Sequence, residues 1–349
     1  MLKTGNKKTA IILFNLGGPD SLKNVRPFLY NLFSDKWIIR LPFIIRHIIA
    51  FFISKFRYKS ASENYKFMGG KSPLLEGTNR QKNALETELY NRKFDNFRIF
   101  ISMRYWHPFY NEIIKDLKEY NPEEIIFLPL YPQFSSSTTL SSFEEFESGL
   151  QEEKINSKVK KIGCYYDDKD FISSHIFLIK EKIKKFKKDD KVKILFSAHS
   201  IPTKFVESGD PYEWQINKTL DAILEDDDIK KYEHILCYQS RVGLAKWLGP
   251  STKHEIESLA KDGINIIIVP ISFISEHIET LVELDIEYKL IADKYNIKYE
   301  RVAALGIEIN FIKSLAKIVE ATSNNGIDLL TYGSELCPKK FTNCICRRG

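Results

Sequence analysis

The sequence lacks the features that define several common classes of protein. Its 349 residues include only five cysteines, an odd and unevenly spaced set that excludes a disulfide scaffold. Cys164 and Cys237 adjoin apolar segments, so we expect both to be buried and reduced, as in a protein of the cytoplasm. No uninterrupted run of about 20 apolar residues is present to span a membrane. The apolar run at residues 10–14 is too short for a signal peptide.

Several ligand-binding motifs are also absent. Gly17 and Gly18 follow a predicted strand, but the G-x-G-x-x-G and P-loop patterns are missing, so a phosphate site is only weakly indicated. No H-E-x-x-H zinc motif occurs. The formal net charge is +6, but lysine and glutamate are mixed and no basic-aromatic motif repeats, so we expect no nucleic-acid partner. The composition, 43% hydrophobic and 28% charged, is typical of a soluble globular protein with an ample core.

Three strand-and-loop units occur twice in the same order. This duplication predicts an α/β fold of two similar Rossmann-like domains, each a parallel sheet flanked by helices, with strand ends facing a shared cleft. The predicted strands lie at residues 9–13, 97–103, 125–130, 192–196, 235–238 and 266–269. We place an N-terminal domain at 1–185, a C-terminal domain at 186–330 and a cysteine-containing tail at 331–349.

The ionisable residues concentrate in residues 265–290. A buried strand leads, after Pro270, into an acidic helix in which Glu279, Glu283 and Glu287 recur every four residues and so form one column on a helix face. Like charges at this spacing disfavour a helix, and a solvated acidic face is the simplest interpretation. Few lysines interleave the column, however, and the ends of parallel strands are where such sheets place their sites, which favours a function.

His199 follows a buried strand of the same half directly. Another strand end in this half offers His277 and Glu279, and imidazole with carboxylate makes a general-base pair or an N/O site for a divalent first-row metal. A structural histidine is the alternative, because pattern alone does not assign a role.

An apolar lip covers residues 28–58. Arg40, Pro42 and Arg46 interrupt it and prevent a clean membrane span. An interfacial segment with a basic fringe fits this pattern as well as an ordinary buried helix does, and both interpretations stay open.

The motifs LFNLGGP, SMRYWHP, YPQFSSST, FSAHSIP and ISEHIETLVELDIEY occur in the order found in ferrochelatases. From about Ile11 to Leu336 the chain resembles a bacterial-type ferrochelatase. The resemblance implies insertion of Fe²⁺ into protoporphyrin IX to form protohaem with release of two protons, the last step of haem biosynthesis. It also implies a porphyrin cleft between the two domains, with Fe²⁺ as a substrate and no prosthetic group.

The resemblance implies individual roles as well. His199 matches the histidine at the porphyrin centre, taken as proton acceptor or metal ligand, and Glu279 matches the carboxylate facing it. An acidic track for protons or metal leads away in a helix that the family often distorts to a π-helix, and it corresponds to Glu276, Glu283 and Glu287. The residues that match substrate-binding segments are Leu16, Ser72, Arg104, Tyr105, Ser137 and Trp247.

The tail bears on a possible iron–sulfur cluster. Animal members of the family hold a [2Fe–2S] cluster with C-terminal cysteines and one cysteine in the YPQ segment, where this chain has Ser136. Cys337, Cys344 and Cys346 supply three thiolates, and a Cys₄ cluster needs four, so we expect no cluster.

Two alternative functions stay open: a non-catalytic porphyrin or haem carrier, and a chelatase for coproporphyrin III. A carrier needs no base at the centre of its cleft, so His199 and Glu279 favour the enzyme. The apolar lip suits a lipophilic protoporphyrin delivered at a membrane. We therefore expect reversible association with the cytoplasmic face of a membrane.

Overall fold

The computed structural model describes residues 7–243 and 245–347, which form an α/β protein with two all-parallel sheets. Its strands are β1 (Thr9–Asn15), β2 (Phe97–Met103), β3 (Glu124–Pro129), β4 (Lys158–Ile162), β5 (Val192–His199), β6 (Glu233–Gln239), β7 (Asn265–Pro270), β8 (Tyr299–Arg301) and β9 (Leu329–Leu330). Its α-helices are α1 (Val25–Phe33), α2 (Phe43–Phe67), α3 (Leu74–Asn91), α4 (Tyr110–Tyr120), α5 (Ser141–Glu152), α6 (Lys169–Ile183), α7 (Thr203–Glu207), α8 (Tyr212–Ile223), α9 (Asp227–Lys230), α10 (Thr252–Lys261), α11 (Lys289–Lys294) and α12 (Ile309–Asn324). Two π-helices lie at Ser136–Leu140 and Glu279–Tyr288, and 3₁₀ turns at Leu22–Asn24 and Ile345–Arg347.

The two sheets share a strand order. The first runs β2-β1-β3-β4-β9 and the second β6-β5-β7-β8, so in each the first strand of the half lies between the second and the third. Strands such as β1 and β7 are almost entirely buried, as expected for apolar β-branched runs in parallel sheets covered by helices. The predicted duplication of parallel α/β halves is therefore confirmed. Open sheets of this kind bind ligands beyond the carboxyl ends of the strands where the order reverses, at β1/β3 and at β5/β7.

The chain divides into two compact units at positions that differ from the predicted domains. Of the described residues, the first unit takes in 7–164 and Leu315–Tyr332, and the second takes in Tyr165–Ser314 and residues 333–347. The predicted boundary at 185 falls after α6, which the structure assigns to the second unit. Residues Leu315–Tyr332 belong to the first unit because β9 pairs with β4, with Lys161 opposite Leu329.

The long π-helix Glu279–Tyr288, hereafter the site helix, is fixed to the second sheet by its apolar face. Leu284 and Tyr288 are buried in a core cluster with Leu195, Ile266 and Ile268 from β5 and β7. Burying a side chain of this size contributes about 1.5–3 kcal/mol, so the apolar face anchors the helix while its acidic residues point elsewhere.

The apolar lip proves to be two different structures. Phe28 and Leu29 of α1 are core residues, whereas α2 exposes a row of apolar side chains. Phe43, Ile44 and Phe56 are 67%, 71% and 76% exposed. An ordinary buried helix is thus the wrong interpretation for this face of α2. Within residues 7–243 and 245–347, no helix combines the length and apolarity needed to cross a membrane.

Candidate active site

His199 is the last residue of β5, and its backbone is held on both sides. The Tyr212 hydroxyl donates to its carbonyl oxygen at 3.0 Å, and its own N–H donates to Ser272 Oγ at 3.0 Å. The side chain keeps 40% of its surface exposed. The fold therefore presents a rigidly mounted, accessible imidazole at the carboxyl edge of the sheet, next to the β5/β7 switch point.

His199 and Glu279 form a hydrogen-bonded pair. Nδ1 of the histidine lies 2.8 Å from Oε2 of the glutamate. A carboxylate only accepts hydrogen bonds, so Nδ1 carries the proton and Nε2 is left with the basic lone pair. Nε2 has no hydrogen-bond partner among the residues that the structure describes. The arrangement is that of a base whose orientation and tautomer are set by a carboxylate.

Electrostatics favour the charged form of this pair. Burial, the largest single influence, acts to lower the pKa of His199, but the charge and hydrogen bond of Glu279 outweigh it and raise that pKa above its ordinary value. Burial likewise acts to raise the pKa of Glu279, yet the two histidines, His199 above all, hold it at about 2. Glu279 is therefore ionised at neutral pH and stabilises a proton on His199.

His277 is a second imidazole beside Glu279. Its Nδ1 donates to the carbonyl oxygen of Ser275 at 3.1 Å, and its Nε2 lies 3.9 Å from Glu279 Oε2. Burial lowers its pKa, so it is neutral at neutral pH, and because Nδ1 carries the proton, Nε2 keeps its lone pair. Across the described chain, no group of three or more His, Cys, Asp or Glu side chains is placed to hold a metal ion. Metal ligation by His199 and Glu279 stays a prediction.

The acidic column lies on the site helix, and its members differ. Glu283 accepts four hydrogen bonds: from Gln239 Nε2 (3.1 Å), from the Ser240 amide and hydroxyl (3.1 and 2.6 Å) and from the Tyr288 hydroxyl (2.5 Å). Most of Glu287 is open to solvent. Desolvation of the part that is covered, and then the charge of Glu283, raise its pKa. A solvated acidic face thus describes Glu287 but not Glu283, whose two oxygens are fully bonded.

Glu276 lies apart from the column. Its Oε1 lies 2.7 Å from Arg301 Nη1 and accepts the Ala304 amide at 3.0 Å. Burial opposes ionisation of Glu276, but Arg301 outweighs it and lowers the pKa. The structure therefore places this predicted member of the track in an ion pair.

Two residues of the site were missed by sequence reasoning. Gln239 ends β6 and Arg301 ends β8. Gln239 Nε2 donates to the carbonyl oxygen of Glu279 at 2.9 Å, and its own Oε1 accepts from Ser197 Oγ at 2.7 Å. The available signal was positional: like His199, both are polar side chains at the carboxyl end of a strand.

Trp247 belongs to the same unit as His199. It forms an antiparallel bridge with Pro202, which lies three residues after His199 in the chain. Its indole N–H is buried and makes no hydrogen bond within the described residues. Its predicted contact with substrate stays a prediction.

In the first unit, Arg104 follows β2 and is fully engaged. Its guanidinium donates to Ser141 Oγ at 2.7 Å, to Glu145 at 2.7 Å and to Asp35 at 3.0 Å. Burial, opposed by Arg104 and assisted by Asp35, raises the pKa of Glu145 to about 7. Asp35 and Glu145 were not singled out from the sequence, because nothing local connects them to Arg104.

Tyr105 is completely buried, and its hydroxyl donates to Asp35 at 2.7 Å. In this structure Tyr105 supports Asp35, and its predicted contact with substrate stays a prediction.

The remaining predicted contacts also lie in the first unit. The Leu16 carbonyl oxygen, just beyond β1, accepts the Tyr105 amide at 2.9 Å. The Ser72 amide donates to the Pro19 carbonyl oxygen at 2.7 Å. Ser137 is nearly buried and shares a 3.0 Å hydrogen bond with Ser135. Substrate contact by Leu16, Ser72 and Ser137 stays a prediction.

Comparison with known proteins agrees with this geometry. A family model described as ferrochelatase matches residues 8–323. The ferrochelatase of Rickettsia bellii (strain OSU 85-389) is 51% identical, covering 99% of this chain and 97% of that protein. That of Pelagibacter ubique (strain HTCC1062) is 45% identical, covering 97% and 98%. Among solved structures, SirB from Bacillus subtilis with Fe³⁺ is similar with a TM-score of 0.53 and 13% identity, covering 91% of this chain and 96% of that one, a likeness that shows the fold alone.

Two parallel sheets flanked by helices, together with the family-model match, define a chelatase-type α/β protein. The family match and the relatives at about half identity show that this chain belongs to the ferrochelatase family. It is accordingly an enzyme that inserts iron into a porphyrin, at the last step of haem biosynthesis. The resemblance drawn from the sequence motifs is confirmed.

Proposed function

We propose that the porphyrin substrate is protoporphyrin IX, that Fe²⁺ is the metal, and that the product is protohaem with two protons released. The observation that carries the proposal is the 2.8 Å contact between His199 Nδ1 and Glu279 Oε2, which leaves an accessible imidazole nitrogen at the carboxyl edge of β5. A carrier would need no such base.

His199 has the geometry to accept pyrrole protons. A porphyrin must lose two N–H protons as the metal enters, so a base has to lie at its centre. When Nε2 of His199 takes up a proton, the resulting imidazolium is stabilised by the ionised carboxylate of Glu279. The carboxylate is already in place, so no reorganisation is needed when the charge appears.

Glu279 and the neighbouring imidazoles also suit iron. Fe²⁺ must exchange its waters for nitrogen and oxygen ligands before it enters the ring, and imidazole and carboxylate are donors that first-row divalent metals accept. His277, neutral and 3.9 Å from Glu279 Oε2, adds a nitrogen donor beside the pair. We infer that the ion reaches the porphyrin from the side of Glu279.

An anaerobic insertion assay tests substrate and activity together. Purified protein is mixed with Fe²⁺ and with protoporphyrin IX or coproporphyrin III, and absorbance follows the metallated product. We expect faster turnover with protoporphyrin IX. Preference for coproporphyrin III overturns the substrate assignment, and binding of porphyrin without insertion of iron supports the carrier.

We propose further that α2 rests reversibly on a membrane at the cytoplasmic face. Ile44, Phe52 and Phe56 are exposed on it, and exposed Lys55 and Arg57 supply a basic fringe. Apolar side chains enter the bilayer interface while each basic group contributes about 1 kcal/mol against anionic headgroups. A lipophilic porphyrin would be taken up and passed on at that surface.

Co-sedimentation with liposomes tests the membrane proposal. Binding should require anionic lipid, weaken with salt and fall in Phe56→Ser. Phe177→Ser is the matched control, because Phe177 is 51% exposed on α6 of the other unit. Equal binding by both variants, or no binding by the wild type, refutes the proposal.

A further inference from the structure

Arg301 makes a two-sided ion pair with the segment that carries Glu279. Nε lies 2.6 Å from Oδ1 of Asp285, within the site helix, and Nη2 lies 2.6 Å from Oδ2 of the same residue. Nη1 lies 2.7 Å from Oε1 of Glu276, just ahead of that helix. The Arg301 side chain is only 12% exposed, so these contacts are little screened by solvent. One guanidinium thereby holds the chain on both sides of Glu279 and Glu283.

The site helix needs such external support. π-helices are rare and usually only one turn long, and those that occur are frequent at functional sites. The column of Glu279, Glu283 and Glu287 adds like-charge repulsion. On one side, Gln239 and Ser240 bind Glu283. The positive φ of 63° at Ser240 belongs to this anchor, since a non-glycine residue in that region is strained and is kept there by its surroundings.

The support on the other side comes from Arg301, at the end of β8. Three of the four strands of the second sheet therefore end in a side chain that contacts the site helix: His199 on β5, Gln239 on β6 and Arg301 on β8. Arginine suits this place because its planar guanidinium binds one carboxylate through two parallel hydrogen bonds and has a donor left for a second. Lysine keeps the charge but cannot reproduce the fork.

We propose that Arg301 is a positioning residue for iron insertion, which holds the site helix so that Glu279 stays within hydrogen-bond distance of His199. The expected fall in kcat rests on the proposed function, whereas the expected displacement of Glu279 from His199 does not. Displacing a catalytic group by about 1 Å costs up to about 10²-fold in rate. Weakening the ion pairs of Arg301 should therefore slow turnover measurably, although Arg301 touches no reacting atom.

The test compares Arg301→Lys with Arg92→Lys. Arg92 is the matched control: its guanidinium also bridges two carboxylates, those of Glu88 at 2.8 Å and Glu320 at 3.0 Å, and it lies in the first unit. In Arg301→Lys we expect kcat to fall about ten- to a hundredfold with little change in the KM for porphyrin. Arg92→Lys should keep wild-type kinetics.

A second readout does not depend on catalysis. NMR titration of isotope-labelled histidine, with His199 assigned by the His199→Ala variant, reports the pKa that Glu279 holds above its ordinary value. Arg301→Lys should lower this pKa, because Glu279 retreats, and Arg92→Lys should not. An unchanged His199 titration in Arg301→Lys, or an equal change in both variants, overturns the proposal. A wild type that inserts no iron overturns the proposed function instead and leaves the titration result to decide the role of Arg301.

Asp285→Asn is a second variant of the same contact, for use if Arg301→Lys does not fold. It preserves the shape of the side chain but weakens the bidentate contact from within the site helix. It should shift the His199 titration in the same direction and by a smaller amount. If Asp285→Asn folds and leaves the His199 titration at its wild-type position, the positioning role of Arg301 is refuted.

Discussion

Replacing Glu279 by glutamine removes the charge beside His199 and keeps the shape. The amide oxygen of the introduced glutamine can still accept the hydrogen bond from Nδ1, so the imidazole tautomer is preserved and the loss is electrostatic. Unit charges about 4 Å apart interact by about 4 kcal/mol at an effective dielectric constant of about 20. The 40% exposure of His199 reduces this figure. We expect turnover to fall about 10²-fold, which corresponds to about 2.7 kcal/mol.

The pH dependence gives the sharper readout. His199 acts as a base only when it is neutral, so kcat/KM of the wild type should rise as pH passes upward through its raised pKa. Without Glu279, burial is no longer outweighed and that pKa falls. The rising limb of the pH–rate profile should therefore move to lower pH in Glu279→Gln.

Glu287→Gln is the matched control, with the same substitution at the exposed end of the column. It should cost much less in turnover and leave the limb in place. Equal and negligible effects of the two substitutions would show that the column is only an acidic face. A limb that stays fixed, or moves to higher pH, in Glu279→Gln would refute the assignment of His199 as the base.

Two further predictions concern stability and the tail. Lys160→Met should lower the free energy of unfolding by about 3–5 kcal/mol in chemical denaturation, because it leaves the buried Glu124 without the ammonium group 2.7 Å away. Lys161→Met breaks a partly exposed pair with Glu147 and should cost less than about 1 kcal/mol, and similar losses in both variants would contradict this account. Iron and sulfide analysis of anaerobically purified protein should find no stoichiometric [2Fe–2S] cluster, because the tail supplies three thiolates and Ser136 stands at the fourth position implied by the family; a cluster spectrum that disappears in Cys344→Ser would overturn this prediction.

The sequence predicted the parts of the fold that local patterning determines. Apolar strands with loops rich in small residues located β1, β2, β3, β5, β6 and β7, and their repeated order predicted two similar sheets. The sequence analysis did not predict β4, β8 and β9. β4 is rich in lysine, and strands of two or three residues such as β9 and β8 are too short to show a periodicity. The late return of the chain to the first unit escaped for the same reason, because it depends on the pairing of β9 with β4.

The site was predictable in its chemistry but not in its supports. His199 and Glu279 stood out because a strand end and a family motif coincide there, and the structure brings them together. Arg301 and Gln239 could not be connected with the site helix, since their contacts depend on strand register across the sheet. The packing of Tyr105 was likewise not predictable: its motif suggested a substrate contact, which stays untested, whereas the structure buries its ring and directs its hydroxyl to Asp35.

The central claim is that His199 accepts the porphyrin protons, and His199→Ala tests it most directly. The measurement is anaerobic insertion of Fe²⁺ into protoporphyrin IX, followed by absorbance, with porphyrin binding measured in parallel by fluorescence quenching. We predict that the variant binds porphyrin with nearly wild-type affinity and forms no detectable protohaem. Turnover at the wild-type rate in His199→Ala would contradict the account.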